Sequence, residues 1–161
     1  MNKRFLLSWL LMAILCLPVF AQMQDPVQFK TEWKAISDNE AEIVFTGTIE
    51  HGWHVYSTDL EEGGPTSATF NIDEIKGAEV VGKLTPKGNE LDMMDPVFGM
   101  QVRFFEGTAT FVQKIKLTGG DYSITGYLTY GACDDQNCMP PTNVEFTYKG
   151  TATGSSKQTA A

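Results

Sequence analysis

The chain consists of short segments in which apolar and polar residues alternate, and this pattern limits the fold more than any other feature of the sequence. In Asp121–Tyr130, for example, every second residue is large and apolar or aromatic, except for Gly126. Alternation with a period of two residues indicates a strand that buries one face. No segment after residue 21 carries apolar residues at helical spacing. The predicted strands are Val27–Ile36, Ala41–Glu50, His54–Ser57, Ser67–Ile72, Glu79–Leu84, Gln101–Phe105, Thr108–Leu117, Asp121–Tyr130 and Val144–Tyr148.

Turn signals separate the predicted strands. Ser37-Asp38-Asn39 lies between the first two strands, and Glu61–Pro65 places two glycines before a proline. Glu106-Gly107 lies between two strands and predicts a hairpin. Many short strands with frequent turns favour a sandwich or barrel over a helical or mixed fold. We therefore expect an all-β fold, an immunoglobulin-like antiparallel β-sandwich.

The first 21 residues have the layout of a secretory signal peptide. Lys3 and Arg4 give a positive start, and Phe5–Leu17 is almost wholly apolar. Ala21 then supplies a small residue at the cleavage point. The apolar stretch is shorter than the ~20 residues that a transmembrane helix needs. We expect a signal peptide over residues 1–21, a folded domain over 22–150, and a disordered tail or linker remnant over 151–161.

The charge of the chain argues against two classes of partner. The formal net charge is −8, and the predicted signal peptide contains two basic residues and no acidic residue, so its removal brings the charge to −10. Nucleic acids and anionic membrane surfaces both require a basic patch on the protein that binds them. We therefore expect neither as a partner.

One pair of cysteines remains after the predicted cleavage, because Cys16 leaves with the signal peptide. Cys133 and Cys138 have four residues between them and would lie in a compartment where disulfides persist. In the chain-entropy model, a ring this small stabilises a fold by only ~2 kcal/mol. A domain of this size has little need of that contribution. The pair is therefore either a reactive disulfide or a structural staple, and the spacing alone does not separate the two.

Several motifs resemble the N-terminal periplasmic domain of DsbD, the bacterial thiol:disulfide interchange protein. The most specific is the run Leu128–Cys133 followed by Cys138–Pro141, which has an aromatic residue just before the first cysteine and C-x-P-P at the second. His51–Ser57 and Asp95–Gly99 are similar to two further stretches of that family. The resemblance extends over Val27–Lys149 and implies an immunoglobulin-like fold, as the strand pattern does.

The resemblance also implies roles for residues around the cysteine pair. Cys138 would attack the disulfide of a client protein, and Cys133 would resolve the mixed disulfide. Asp95–Gly99 would be a cap loop over the sulfurs, with Phe98 or the neighbouring Val97 as the covering residue; we expect Phe98. The other residues expected to line the site are Asp95 itself, His54 and Tyr56, which fall where the family has tyrosines, and Tyr130, the aromatic residue upstream of Cys133.

The family passes electrons from a membrane-embedded reductase, through a thioredoxin-like domain, to periplasmic disulfide isomerases and cytochrome-maturation proteins. The resemblance therefore implies a monomeric periplasmic domain with protein-disulfide reductase-type activity. Its only cofactor would be its own Cys133–Cys138 disulfide. The 161-residue sequence contains neither the membrane segment nor the thioredoxin-like domain. We expect either a stand-alone domain with a separate reductant or a part of a longer chain.

Metal binding is one alternative to redox chemistry. His51 and His54 have H-x-x-H spacing, and with two cysteines they would make a zinc ligand set. Residues three apart in a strand, however, point to opposite faces. Met93, Met94 and Met100 could bind copper through their thioethers, although methionine commonly fills gaps under loops. We expect no metal.

A non-catalytic binding module with a structural disulfide is the main alternative function. Trp33, Trp53 and Phe104-Phe105 could form an exposed aromatic platform. We expect most of these side chains to pack in the core instead.

Overall fold

The computed structural model describes residues 25–152. The predicted signal peptide and residues 153–161 of the predicted tail lie outside the described residues. Within 25–152 every regular element is a strand, and no helix there could span a membrane. The strands are β1 (Val27–Ala35), β2 (Glu40–Ile49), β3 (His54–Tyr56), β4 (Thr69–Lys76), β5 (Ala78–Lys87), β6 (Leu91–Asp95), β7 (Met100–Phe105), β8 (Thr108–Leu117), β9 (Gly120–Tyr130), β10 (Ala132–Cys133) and β11 (Thr142–Ala152).

The strands form antiparallel sheets whose order brings distant segments together. One sheet has the order β1-β2-β8-β5, and a second has the order β11-β9-β4. The third has the order β10-β3-β7-β6. This third sheet, called the end sheet below, carries the cysteine pair.

The first two sheets pack face to face around the main core. The ring of Phe45 on β2 lies 6.2 Å from that of Phe70 on β4 and 5.7 Å from that of Phe146 on β11, centroid to centroid. Ile43 and Phe111 are fully buried beside them. The fold is an immunoglobulin-like β-sandwich, so the predicted fold class is confirmed.

All nine predicted strands are present, with ends that differ by up to four residues. Two strands were missed. β6 has the sequence LDMMD, which contains no β-branched or aromatic residue. β10 is only two residues long and owes its existence to its pairing with β3. The last strand continues to Ala152, two residues into the predicted tail.

β10 joins the end sheet to the β11-β9-β4 sheet. Only Gly131 separates β9 from β10, and a Cβ atom there would lie 2.8 Å from the carbonyl oxygen of Thr66. One face of the end sheet presents Val55, Phe105 and Ala132 to the main core. The opposite face carries Cys133 and therefore looks away from that core.

Candidate functional site

The two cysteines form a disulfide across a tight loop at the end of the sandwich. Their Cα atoms are 4.0 Å apart. The Asp134 carboxylate accepts hydrogen bonds from the backbone N–H groups of Gln136, at 2.8 Å, and Asn137, at 2.5 Å. These bonds hold the pKa of Asp134 below its usual value. The polar residues between the cysteines are therefore used to build the turn that brings the two sulfurs together.

The two cysteines differ sharply in exposure. Cys133 is only 2 % exposed and packs with Tyr56, Val102 and Phe104 on the outward face of the end sheet. Cys138 is exposed to solvent. A large partner can therefore approach the bond from the Cys138 side, while Cys133 lies against the sheet.

His54 is the direct cross-strand neighbour of Cys133. In the pairing of β10 with β3, Cys133 is opposite His54 and Ala132 is opposite Val55. Tyr56 follows His54 by two residues and so lies on the same face. The His54 ring is 5.0 Å from the ring of Tyr56 and 4.8 Å from that of Phe104. A buried imidazole is thus placed beside the buried cysteine.

His54, Tyr56 and Asp95 form a buried hydrogen-bonded group next to this cysteine. The Tyr56 hydroxyl donates to Asp95 Oδ2 at 2.5 Å, and His54 Nε2 lies 3.0 Å from the same hydroxyl oxygen. His54 Nε2 is also 3.4 Å from Asp95 Oδ2. Because Tyr56 gives its one hydroxyl hydrogen to Asp95, its oxygen can only accept from His54. That direction places a hydrogen on His54 Nε2.

The protonation states within this group follow from burial and from the hydrogen bonds. Burial raises the pKa of Tyr56 far above its usual value, and the bond to Asp95 adds to the effect, so the phenol stays neutral. Burial alone would raise the pKa of Asp95 as well. The hydrogen bonds from Tyr56 and from the backbone N–H groups of Phe98 and Val97, with the nearby His54, outweigh it and lower the pKa. Asp95 is therefore a carboxylate held in a buried position.

The same carboxylate shapes the loop between β6 and β7. Asp95 Oδ1 accepts hydrogen bonds from the N–H groups of Val97, at 2.7 Å, and Phe98, at 3.0 Å. The turn closes with the Gly99 N–H donating to the Asp95 carbonyl at 2.8 Å. Gly99 has a φ of 64°, in the left-handed region that favours glycine. The Phe98 ring stands edge-on to Tyr56 at 6.1 Å. One oxygen of Asp95 thus holds the loop while the other is tied to the sheet beside Cys133.

Most of the residues singled out in the sequence lie in this one region. Phe98 and Val97 are exposed by 37 % and 41 %, and only Phe98 has an aromatic contact with the buried group. Tyr130 lies elsewhere, because its ring packs 4.7 Å from that of Phe29 in the main core. Burial there raises the pKa of Tyr130.

The apolar residues that surround Cys133 were not identified from the sequence. Val102 and Phe104 on β7 pack with Cys133, and Leu60, Leu91 and Met100 lie around them. The alternation in β7 shows that Val102 and Phe104 share a face. It carries no signal that this face covers a cysteine from a distant part of the chain.

The residues considered for metal binding are dispersed. His51 is exposed in a turn, whereas His54 is buried on the end sheet. Met93 and Met94 are adjacent on β6, exposed by 55 % and 62 %, and Met100 packs near Cys133. Across residues 25–152 no group of three or more histidine, cysteine, aspartate or glutamate side chains is arranged to hold a metal ion.

The aromatic side chains considered for a binding platform are largely packed. Phe105 is fully buried in the main core, and Phe104 packs beside Cys133. Trp33 is partly buried and stacks on Tyr122, with ring centroids 5.1 Å apart. The expectation that most of these rings pack is confirmed.

Comparisons with known proteins relate the chain to one family and to two solved structures. The sequence matches the family described as "Thiol:disulfide interchange protein DsbD, N-terminal" over residues 21–149. The N-terminal periplasmic domain of ScsB from Proteus mirabilis has a similar structure, with a TM-score of 0.53 and 18 % identity over 76 % of this chain and 46 % of that one. The reduced N-terminal domain of DsbD from Neisseria meningitidis gives a TM-score of 0.43 and 20 % identity, over 76 % of this chain and 86 % of that one. No curated protein matches the chain.

The likeness to the ScsB domain concerns the fold, because the identity is low. The present chain spans about half the length of that solved structure. The family match covers most of the sequence and includes both cysteines.

Proposed function

The chain belongs to the family of N-terminal domains of the thiol:disulfide interchange protein DsbD, and on that basis we propose that it exchanges electrons with protein partners through Cys133 and Cys138. The observation that carries the proposal is the unequal exposure of the pair. Cys138 is exposed to a partner, and Cys133 is buried beside a hydrogen-bonded group that also holds the surface loop Asp95–Gly99. This arrangement suits a bond that is opened and re-formed.

In the reductive half of the cycle, a thiolate of the donor attacks the Cys138 sulfur. The Cys133–Cys138 bond breaks, Cys133 leaves as a thiolate, and a mixed disulfide joins the donor to Cys138. The second thiolate of the donor then attacks the donor's own sulfur in that mixed disulfide. The donor leaves oxidised, and the domain is left with two thiols after proton uptake.

The oxidative half runs in the opposite direction. The Cys138 thiolate attacks the disulfide of a client and releases one client thiolate. Cys133 then attacks the Cys138 sulfur, re-forms the internal disulfide and releases the second client thiol. Two electrons pass to the client in each cycle, and no dissociable cofactor is needed because the disulfide itself carries them.

The loop Asp95–Gly99 acts as a cap in this proposal. Its ties to Asp95 hold Phe98 against Tyr56, on the face that carries Cys133. A docking partner displaces the loop and thereby uncovers the face of the end sheet on which Cys133 lies, whereas Cys138 is exposed from the start. The expected consequence is that the pair reacts slowly with small thiols and faster with a protein that fits this end of the sandwich.

The partners and compartment in the proposal follow the family. The electron donor is a thioredoxin-like domain supplied by a membrane reductase, and the clients are disulfide isomerases or cytochrome-maturation proteins. The domain works as a monomer in the periplasm, to which the predicted signal peptide over residues 1–21 directs it.

The reduction potential of the Cys133–Cys138 bond tests the proposal. The purified domain is equilibrated with mixtures of reduced and oxidised glutathione or dithiothreitol, and free thiols are counted by alkylation. An electron carrier should have a potential of roughly −180 to −270 mV, within reach of thioredoxin-like donors. A potential below about −300 mV would identify a structural staple and favour the binding module.

Two single-cysteine variants serve as matched controls. Cys133→Ala keeps the exposed attacking thiol and should trap a mixed disulfide with a client in a periplasmic extract. Cys138→Ala should trap none, because its remaining thiol is buried. Equal trapping by both variants would contradict the assigned roles.

A further inference from the structure

Opening the disulfide produces a negatively charged sulfur, the Cys133 thiolate, at a buried position. When a donor attacks Cys138, Cys133 departs as a thiolate at a position that is only 2 % exposed. Its surroundings on the end sheet are Tyr56, Val102 and Phe104. Burial in apolar surroundings disfavours a thiolate strongly. A nearby group that supplies a proton would therefore make the departure of Cys133 easier.

The ionisable groups around this position leave one residue for that role. From β3 come His54 and Tyr56, from β6 comes Asp95, and from the cysteine loop comes Asp134. Tyr56 keeps its proton because burial raises its pKa, and both aspartates stay ionised because hydrogen bonds lower theirs. An imidazole, by contrast, gains and loses a proton readily between pH 5 and 8. His54 is also the direct cross-strand neighbour of Cys133, a position at which opposite Cβ atoms lie about 4.5–5.5 Å apart.

The hydrogen bond to Tyr56 determines which atom of His54 is available. Nε2 carries the hydrogen that Tyr56 accepts, so the proton that comes and goes is the one on Nδ1. Tyr56 and Asp95 thereby hold the ring in place through one nitrogen and leave the other free to exchange a proton. A fixed tautomer of this kind is what general acid–base chemistry needs.

A route to solvent runs past the same side chain. His54 lines a surface cavity of about 410 Å³, together with Trp53 and the turn residue His51. The charged residues that border the cavity are acidic and exposed: Glu50, Glu106 and Asp135. Among residues 25–152, no lysine or arginine lines it. Water in the cavity can replace the proton that His54 gives up.

We propose that His54 exchanges a proton with Cys133 during thiol–disulfide exchange, an inference that rests on the function proposed above. In reduction, the donor thiolate bonds to Cys138, the S–S bond breaks, and the Cys133 thiolate takes the Nδ1 proton of the imidazolium. In oxidation, neutral His54 takes the proton from the Cys133 thiol, and the resulting thiolate attacks Cys138. The proton then passes to water, so charge and atoms balance in both directions.

The experiment compares pH profiles of disulfide reduction. The wild type and His54→Gln are reduced with the same concentration of dithiothreitol from pH 5 to pH 8, and free thiols are followed after acid quench. Gln keeps a donor for the Tyr56 oxygen but does not titrate. The thiolate fraction of dithiothreitol is the same for both proteins at each pH. The ratio of the two rate constants therefore reports only the pH dependence that His54 contributes.

We expect the wild type to exceed His54→Gln by about a hundredfold at pH 5, the low end for general acid catalysis, and the ratio to approach one near pH 8. Asp92→Asn, at an exposed position on β6 outside this cavity, is the control and should follow the wild type at every pH. His54→Tyr restores the residue type that the family resemblance places here. It cannot act as the acid and should lose the same low-pH advantage, which keeps the test available if His54→Gln fails to fold.

A ratio of wild-type to His54→Gln rate constants that does not change with pH would overturn the role of His54, because a purely structural effect changes the rate by the same factor at every pH. The reduction potential of the wild type tests the underlying function separately. A redox-active pair with a flat ratio overturns only the role of His54. A pair that behaves as a structural staple overturns the proposed function, whatever the ratio.

Discussion

Asp95 connects two parts of the molecule through the two oxygens of one side chain. Oδ2 accepts the Tyr56 hydroxyl on the end sheet, and Oδ1 accepts the N–H groups of Val97 and Phe98 in the loop. The residue is 1 % exposed, so each of these bonds is made where water cannot easily replace it. The loop is therefore held closed by a carboxylate and not by packing alone.

Replacing Asp95 by Asn should destabilise the domain by about 1–3 kcal/mol, because a buried donor loses its charged acceptor. The folded-state pKa of Asp95 is lowered, so its contribution is fully present above the unfolded value of about 3.9 and is lost as the pH falls through the folded value. The difference between wild type and Asp95→Asn should be largest near neutral pH and narrow below about pH 4. Urea unfolding followed by tryptophan fluorescence at pH 7, 5 and 3 measures it.

The control for this prediction is Asp92→Asn on the same strand. Asp92 is exposed and binds only the Gln101 side chain, so its replacement should change stability by less than about 0.5 kcal/mol. If Asp95→Asn lowers the free energy of unfolding no more than Asp92→Asn does, the Asp95 carboxylate does not hold the loop.

β6 and the loop that follows it are weakly supported by the rest of the domain. β6 is an edge strand that pairs only with β7. Two of its five side chains, Met93 and Met94, are more than half exposed. An element with few buried contacts opens at low free-energy cost. The hydrogen bonds from the loop to Asp95 and the contact of Phe98 with Tyr56 therefore contribute much of the stability of the loop in this position.

Replacing Phe98 by Ala should speed reduction of the Cys133–Cys138 bond by small thiols several-fold, because the ring that stands against Tyr56 is removed. Val97→Ala is the matched control, since Val97 lies next to Phe98, has similar exposure and lacks the aromatic contact. Its rate should stay close to that of the wild type. The rate of thiol appearance under dithiothreitol at fixed pH measures both. A larger effect of Val97→Ala would assign the covering role to Val97.

At the scale of the whole molecule, the stability of the fold and the chemistry of the cysteines belong to separate regions. The main core is formed between the two large sheets and includes neither cysteine. Cys133 lies in a smaller cluster on the outward face of the end sheet. The domain can therefore open and close its disulfide while the sandwich stays intact.

Reducing the disulfide should cost only ~2 kcal/mol of stability, the value for a ring of this size. For a domain of this length, that lowers the melting temperature by less than about 10 °C. Thermal unfolding with and without dithiothreitol, followed by circular dichroism in the far ultraviolet, measures the shift. Cys133→Ser/Cys138→Ser should match the reduced wild type. Cooperative unfolding upon reduction at room temperature would show that the disulfide is a structural requirement.

The strands of the two main sheets could be predicted because their signal is local. Alternation in β2 places Ile43 and Phe45 on one face, and both are fully buried. The same reasoning placed Tyr130 on the buried face of β9. Local alternation does not say which core that face joins, however, and Tyr130 packs against Phe29, away from the cluster that holds Cys133.

The sequence by itself determined the fold class, the cysteine pair and the strand that carries His54 and Tyr56, because each depends on residues close together in the chain. Only the tertiary structure decided that Cys133 lies opposite His54 and that Asp95 reaches Tyr56 across 39 residues. Those contacts depend on the strand order β10-β3-β7-β6. Strand order is set by how the whole chain buries its apolar faces, and no local pattern encodes it.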